Sequence, residues 1–238
     1  MSRASDTDDA SGAHRVVADG AVERAVGDRM RDAFERALLE PLSVIASTAS
    51  LLPRAAPVDG PERAIASAAV QAEVAVRDLL EYLEYEVSGV PVVRRRVDLR
   101  LLCERVLDSI QSRYPESPIA FTGVAPVEGD WDPDRLASLL SRLVVDAMER
   151  GPARRVVRVL LRAVGNRAVL DVCTAPAKVP DALPRSFEPF ARGADGRPPR
   201  LGLGLYLAQE IALAHGGAIE SLQDATAGTT IRVTLPRH

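Results

Sequence analysis

The sequence lacks the residue patterns on which several common chemistries depend. It has only two cysteines, Cys103 and Cys173, which lie seventy residues apart in apolar surroundings, so neither a metal cluster nor a disulfide framework is indicated. No apolar run reaches the ~18 residues of a membrane-spanning helix, and the polar first residues have no apolar core like that of a signal peptide. We therefore expect two buried thiols in a cytoplasmic protein with no membrane insertion.

The chain also lacks a strong excess of either charge. Its formal net charge of −3 provides no overall attraction to nucleic acid or to an acidic membrane, so we predict no nucleic-acid partner. With 238 residues, 47% hydrophobic and 26% charged, the composition is typical of an ordinary globular protein with one or two domains. The chain is long enough to bury at least one sizeable core.

The first part of the sequence predicts a tail and two helices. Residues 1–18 are rich in Asp, Ser, Ala and Gly without periodicity, which predicts a disordered tail. Apolar residues then recur every three or four positions to about residue 52, with Pro41 expected to kink this helix. A second helix is predicted from Pro61 to about Gly89. Residues 19–89 should therefore form an antiparallel hairpin, whose remaining apolar stripe predicts a homodimeric four-helix bundle.

After Gly89 the pattern changes, because short strand-like runs alternate with helices. The predicted strands cover residues 90–97, 119–122, 156–163, 168–174, 218–222 and 229–235, and the predicted helices cover 99–114, 132–150 and 205–215. Residues 90–238 are therefore predicted to form an α/β sandwich. The predicted fold class is α+β, a helical hairpin followed by this sandwich.

The most specific signal is a glycine-rich run before the last predicted helix. Gly202 and Gly204 lie in the run RLGLGLYLA, residues 200–208. Glycines at such a place let the backbone approach a polyphosphate, and the helix N-terminus supplies free amides and a favourable dipole. An HGG run at 215–217 and a GTT run at 228–230 follow in order. The ordered set resembles the C-terminal glycine box of the histidine-kinase ATP-binding domain, whose superfamily includes gyrase, heat-shock chaperones and mismatch-repair ATPases.

Other segments extend this resemblance over about residues 25–236. The run FEPFAR at 187–192 is similar to the F box of the family, and the helix that starts at Asp132 is similar to its N-box helix. In the hairpin, the framework of the dimerisation helix is matched by Phe34, Leu38, Pro41 and Leu42. The resemblance implies a two-component sensor histidine kinase, with a dimerisation hairpin and an ATPase sandwich of the Bergerat (HATPase_c) type. It implies ATP and Mg²⁺ as cofactors, and a response-regulator receiver domain or a genuine histidine kinase as partner.

The residues that would perform the family's chemistry differ here. The slot of the phosphoacceptor histidine holds Arg36, and the adjacent acidic slot holds Ala37. A guanidinium stays protonated at neutral pH and cannot accept a phosphoryl group. The histidines of the chain are His14, His215 and His238, none of them in the hairpin, and His215 is expected to cap and pack its helix. The resemblance thus implies a histidine-kinase-like protein without autokinase activity and without catalytic residues.

The nucleotide pocket is altered too. Arg142 and Asp146 stand in the slots of the two N-box asparagines, and Asp146 is interpreted either as a Mg²⁺ ligand or as an ion-pair partner of Arg142 one turn earlier. The aspartate that reads adenine in the family becomes Thr174, and two glycines of the first glycine box become Pro176 and Lys178. Any retained nucleotide site is assigned by the resemblance to Asp146, Arg150, Thr174, Phe187, Phe190, Arg192, Gly202, Leu203, Gly204, Leu205 and Thr229.

Two functions follow from these residues. One is a pseudokinase of two-component phosphorelay signal transduction, which acts by binding a response regulator or a partner kinase. The alternative is an active ATP-dependent phosphotransferase that works on a partner's histidine or on an unconventional acceptor. The retained glycines and Asp146 favour this alternative.

Overall fold

The computed structural model describes residues 39, 42–45, 61–123, 125–150, 156–174, 187–190, 202–224 and 228–237. The chain divides into two compact units, Met1–Ser88 and Gly89–His238. The predicted tail, most of the first predicted helix and the slots of Arg36 and Ala37 lie outside the described residues.

The first unit contains one long described helix, α1 (Pro61–Ser88). Its proline stands at the first helical position, where the missing N–H costs no hydrogen bond. Residues 42–45 are also helical, and Ser43 Oγ donates a hydrogen bond to Glu73 Oε1 of α1 at 3.0 Å. The second predicted helix is therefore confirmed, while the full hairpin and its dimer remain predictions.

The second unit is a two-layer sandwich. In chain order its elements are β1 (Arg95–Asp98), α2 (Leu99–Arg113), β2 (Ile119–Thr122), β3 (Glu128–Trp131), α3 (Pro133–Arg150), β4 (Val157–Val164), β5 (Arg167–Thr174), α4 (Gly204–Ala214), β6 (Ala218–Asp224) and β7 (Gly228–Pro236). A five-stranded sheet has the order β2-β4-β5-β7-β6, in which β2 and β4 are parallel and the other pairs antiparallel. Strands β1 and β3 form a separate antiparallel pair.

The core lies between the five-stranded sheet and the helices. Along β4, Val157, Val159 and Leu161 are buried and alternate with exposed residues, the pattern of a strand with one covered face. Helix α3 contributes a stripe of buried leucines and contacts both α2 and α4. Each fully buried side chain of this kind contributes about 1.5–3 kcal/mol relative to an exposed one. The predicted α/β sandwich is confirmed.

The opposite face of the sheet carries an ion-pair network around Asp171 of β5. Its carboxylate accepts hydrogen bonds from Arg162 of β4 at 2.6 Å and from Arg232 of β7 at 2.7 and 3.2 Å. Burial by itself raises the pKa of Asp171, but the hydrogen bonds from Arg232 and Arg162 outweigh it and hold that pKa below its usual range. The carboxylate is therefore ionised at neutral pH, and it joins three strands.

Three expectations need correction. The strand predicted at 90–97 begins only at Arg95, because Pro91 has no N–H and the Val93 N–H binds the Asp132 carboxylate instead of a neighbouring strand. Strand β3 was not predicted, since its four residues include a glycine and two acids. Of the two thiols, Cys103 is fully buried but Cys173 only half-buried.

Burial has a chemical consequence for the first of these thiols. It raises the pKa of Cys103 to about 12, and the nearby Glu104 and Asp98 carboxylates add to the shift. Cys103 is therefore an unreactive packing residue.

Among the helices that the structure describes, none combines the length and apolar character needed to cross a bilayer.

Candidate functional site

The glycine-rich run forms the entrance to α4. Gly202 has φ of +70°, a backbone conformation that favours glycine, and Leu203 occupies the N-cap position without making a side-chain capping bond. A Cβ added at Gly204 would meet no atom within 4 Å. The side chains of Leu203 and Leu205 are buried and do not cover the backbone at this surface. An open surface at a helix N-terminus without a side-chain cap fits a phosphate group.

Asp146 lies on α3, which packs against α4. It is half-buried, and one turn earlier Arg142 Nε donates a hydrogen bond to Ser138 Oγ at 3.3 Å. Nowhere in the described ranges do three or more His, Cys, Asp or Glu side chains gather as a metal site. A Mg²⁺ ion on Asp146 would therefore take its other oxygen ligands from phosphates and water, as Mg²⁺ commonly does. Arg150 ends the same helix.

Thr174 and Thr229 are brought together by the pairing of β5 with β7. The Thr174 hydroxyl donates a hydrogen bond to the Thr229 carbonyl oxygen at 3.2 Å. This bond occupies the only donor of the Thr174 side chain and leaves oxygen lone pairs as acceptors. The group that replaces the expected aspartate is therefore a neutral acceptor fixed by the sheet.

The FEPFAR segment is described only at residues 187–190. Phe187 is half-buried, whereas Phe190 is 50% exposed and has a φ of +59°. The predicted contributions of Arg192, and the replaced glycine positions Pro176 and Lys178, fall outside the described residues. The described part of the predicted site thus consists of two facing helices, one strand pair and residues 187–190.

At the other end of α4 lies a polar cluster around Asp132 and His215. Asp132 Oδ1 caps α3 by accepting from the N–H groups of Asp134 and Arg135, both at 3.0 Å. The backbone N–H of Asp132 donates to His215 Nε2 at 3.0 Å, and His215 Nδ1 lies 2.8 Å from the Ile211 carbonyl oxygen. Since Nε2 accepts, the proton of the neutral ring must be on Nδ1.

The environment keeps this imidazole neutral. His215 is 0% exposed, and burial, helped by the charge of Arg94, lowers its pKa despite the opposing effects of Ile211 and Asp132. Both ring nitrogens are occupied by the backbone. His215 is therefore a structural residue at the C-terminus of α4, as the sequence predicted. Its contact with Asp132, 83 positions away, was not predicted.

The comparisons with known proteins agree with this geometry. Residues 131–238 match the family of histidine kinase-, DNA gyrase B- and HSP90-like ATPases. The chain is 32% identical over 178 residues to the sensor protein SphS of Synechococcus elongatus, and 29% identical over 169 residues to the histidine protein kinase DivJ of Caulobacter vibrioides. The chain is a member of the two-component histidine kinase family. Both matches cover 68% of the chain but only 43% and 28% of the relatives, so it spans less than half of their length.

Solved histidine kinases share the fold. The mycobacterial sensor histidine kinase MprB aligns over 60% of this chain and 97% of its own, with a TM-score of 0.52 and 25% identity. Full-length ShkA, solved in complex with AMPPNP, aligns over 89% of this chain and 45% of its own, with a TM-score of 0.66 and 22% identity. The sandwich of this histidine kinase family member is thus the family's ATPase fold.

A residue count of the whole chain agrees with the loss of both N-box asparagines. Asn166 is the only asparagine in this histidine kinase family member, and it lies in the turn between β4 and β5. No asparagine is therefore available on α3, and the carboxylate of Asp146 is the oxygen ligand that this helix offers in that slot.

Proposed function

We propose that this histidine kinase family member has no autokinase activity and acts in two-component phosphorelay by binding a response-regulator receiver domain or a genuine histidine kinase. The proposal rests first on the sequence, because Arg36 stands in the phosphoacceptor slot and Ala37 in the adjacent acidic slot. A permanently protonated guanidinium has no lone pair to attack the γ-phosphorus of ATP.

The state of His215 is the structural observation that carries the proposal. Its ring is fully buried and both nitrogens are hydrogen-bonded to backbone groups, so it does not replace the missing acceptor. The other two histidines, His14 and His238, are at the ends of the sequence and outside the predicted hairpin. Loss of the acceptor leaves binding as the activity that the scaffold supports.

The predicted homodimer is supported by the surface of α1. Ile65, Leu83 and Val87 lie along one side of this helix and are 42–62% exposed, an apolar set that a second hairpin would cover. A homodimer through residues 19–89 would present two ATPase-type units to a partner. The same apolar set would also serve a heterodimer with a genuine kinase, and the cytoplasmic location stays a prediction.

The deciding experiment is a phosphorylation assay on the full chain. Purified protein is incubated with radiolabelled Mg·ATP, alone and with receiver domains, and the label is tested for acid lability. We expect no acid-labile, alkali-stable label on this protein, while receiver domains bind it in analytical ultracentrifugation. A phosphohistidine on the wild-type chain would overturn the proposal.

A double variant tests whether the acceptor is the only defect. In Arg36→His with Ala37→Glu, the imidazole and its acidic neighbour are restored at their family positions. If the nucleotide site works, this variant gains an acid-labile label that the matched Arg36→His, Ala37→Gln variant, which lacks the carboxylate, acquires more slowly. If neither variant is labelled, the nucleotide site is defective as well.

The second candidate is a phosphotransferase that works on a partner's histidine or on an unconventional acceptor. It is favoured by the open surface at Gly204 and by the uncapped start of α4. The backbone of residues 202–205 would hold the phosphates, Asp146 the Mg²⁺, and Thr174 and Thr229 would face the base. ATP supplies the phosphoryl group when bound; the protein's own share is to orient it and exclude water.

Calorimetry with Mg·ATP tests the requirement of the second candidate for a nucleotide site. A ligand present at 100 times its Kd stabilises the protein by about 2.7 kcal/mol, a shift that a thermal scan also detects. The control is Gly204→Leu, whose side chain would enter the open surface, because an added Cβ there meets no atom within 4 Å. Binding that this variant abolishes supports the second candidate, whereas a flat wild-type titration removes it.

A further inference from the structure

The first residues of the second unit are bonded to the rest of that unit at several points. We call residues 89–94, between the end of α1 and the start of β1, the linker. The Val93 N–H donates to Asp132 Oδ2 at 2.8 Å, and the Pro91 carbonyl oxygen accepts from Arg135 Nε at 3.2 Å. Arg94 Nη2 donates to the carbonyl oxygen of Ala214 at 3.2 Å. The linker is thus attached both to the start of α3 and to the end of α4.

The two carboxylate oxygens of Asp132 accept hydrogen bonds from different parts of the chain. Oδ1 caps α3, and Oδ2 receives the linker. Burial raises the pKa of Asp132, but the backbone donors of Val93, Arg135 and Asp134 outweigh it, and the pKa lies below its usual value. The charge that holds the linker is therefore present at neutral pH.

The end of α4 depends on the linker for a cation. Helix α4 has no basic residue in its last turn, so Arg94 supplies from outside the positive charge that complements the C-terminal end of the helix dipole. The same end is held by the bond from the Asp132 N–H to His215. The eleven residues of α4 span about 16 Å, and at the far end lies the open surface at Gly204.

We propose that the linker is a latch: when it is bound to Asp132 and to the end of α4 it stiffens that helix, and when it is pulled away it loosens α4 as far as the glycine-rich run. The chain enters the linker directly from α1, through Gly89 at φ +69°. The latch does not depend on whether the protein binds a receiver domain or transfers phosphate.

Backbone amide hydrogen exchange on the full chain tests the latch. In Asp132→Asn, the remaining carbonyl oxygen still caps α3, because asparagine is as good an N-cap as aspartate, while the amide group that replaces Oδ2 cannot accept from Val93. Arg94→Ala removes only an exposed side chain and its bond to Ala214. The matched control is Arg96→Ala, which breaks an exposed pair with Glu128 outside the linker.

We expect exchange of the Val93 amide to rise about tenfold or more in Asp132→Asn, as for the loss of one charged hydrogen bond. The amides of α4 should exchange several-fold faster in both test variants, with the peptide of β5 and the control variant unchanged. The proposal is overturned if the linker exchanges faster while α4 does not. It is equally overturned if β5 accelerates as much as α4 in both variants, since the whole unit is then opening.

Discussion

The two ends of α4 differ in how their polar groups are satisfied. At the C-terminal end, Arg94, Asp132 and His215 form a closed set of hydrogen bonds with the backbone. At the N-terminal end, Leu203 makes no side-chain cap and the surface at Gly204 is open. The polar groups at the first end are satisfied within the protein, whereas the second end is open to solvent or a ligand. We therefore expect substitutions at the closed C-terminal end of α4 to cost stability, and substitutions at its open N-terminal end to leave the fold intact.

The largest loss of stability is expected from removing the side chain of Trp131, which immediately precedes Asp132. Trp131 is 0% exposed, and its Nε1 donates to the Pro236 carbonyl oxygen at 2.6 Å. Trp131→Ala should lower the free energy of unfolding by about 3–5 kcal/mol, because it leaves a large cavity. Urea denaturation measures this, with Leu101→Ala, whose side chain is 51% exposed, as the control. Equal losses of unfolding free energy in the two variants would contradict the expectation that the region around Trp131 stabilises the fold.

A pair of glycine variants compares the two ends directly. A Cβ at Gly217 would lie 2.4 Å from the Thr234 carbonyl oxygen and 3.0 Å from that of Ala212. Because both are backbone atoms, Gly217→Ala should cost about 1–3 kcal/mol of stability. Gly204→Ala should stay within about 0.5 kcal/mol of the wild type, since the added methyl enters open space. A large loss in Gly204→Ala would show that the glycine is needed for folding and not for a ligand.

His215 should make the stability of the sandwich depend on pH. Its pKa is lowered in the fold, so between that pKa and the ordinary value of 6.5 the unfolded chain binds a proton that the native ring does not. Stability should therefore decline as the pH falls below 6.5 and level off below the folded pKa. Asp132 contributes in a separate window, below its ordinary value of 3.8.

The measurement is urea denaturation from pH 7.5 to 4.5 in the wild type and in His215→Gln, with the ring titrated by NMR. The decline that begins at pH 6.5 should be absent from the variant. A ring that titrates above 6.5, or an Nε2–H tautomer, would contradict the hydrogen-bond assignment.

The smallest effect is expected one residue beyond the linker. Arg95 pairs with Asp134 at 3.0 Å, but the two side chains are 60% and 89% exposed. Solvent screening leaves such a pair about 0.5 kcal/mol or less, and added salt weakens it further. Arg95→Ala should therefore barely change the urea midpoint. If Arg95→Ala lowered the urea midpoint as much as Arg94→Ala, then positive charge in general, and not the bond from Arg94 to Ala214, would stabilise the C-terminal end of α4.

Most of the fold could be predicted because its signals are local. The periodicity of α1, the alternation along β4 and the Asp132-Pro133 helix start each lie within a few residues, and the glycine run with the F box indicated the family. The strand predicted at 90–94 was wrong because a distant carboxylate takes the Val93 N–H, which no local pattern reveals.

The candidate site was predictable only in part. Its helices and the two strands that carry Thr174 and Thr229 were predicted, and the glycine run marked the open surface, but the pairing of these strands was not predicted. The contact between Asp132 and His215 depends on how α3 and α4 pack, which is a tertiary property. The sequence therefore predicted the glycine-rich start of α4 more readily than the contacts at its other end, and the nucleotide site itself stays a prediction.

The network around Asp171 acts as a check on strand alignment. A slip of one residue would turn charged side chains into the core, which the apolar pattern already forbids. A slip of two residues keeps every side chain on its face, but it would place Asp171 opposite Thr230 or Thr234 of β7 in place of Arg232. A slip of β7 would thus remove the Arg232 bonds and leave the buried carboxylate with Arg162 alone, so Asp171 disfavours an error of alignment that the apolar pattern allows.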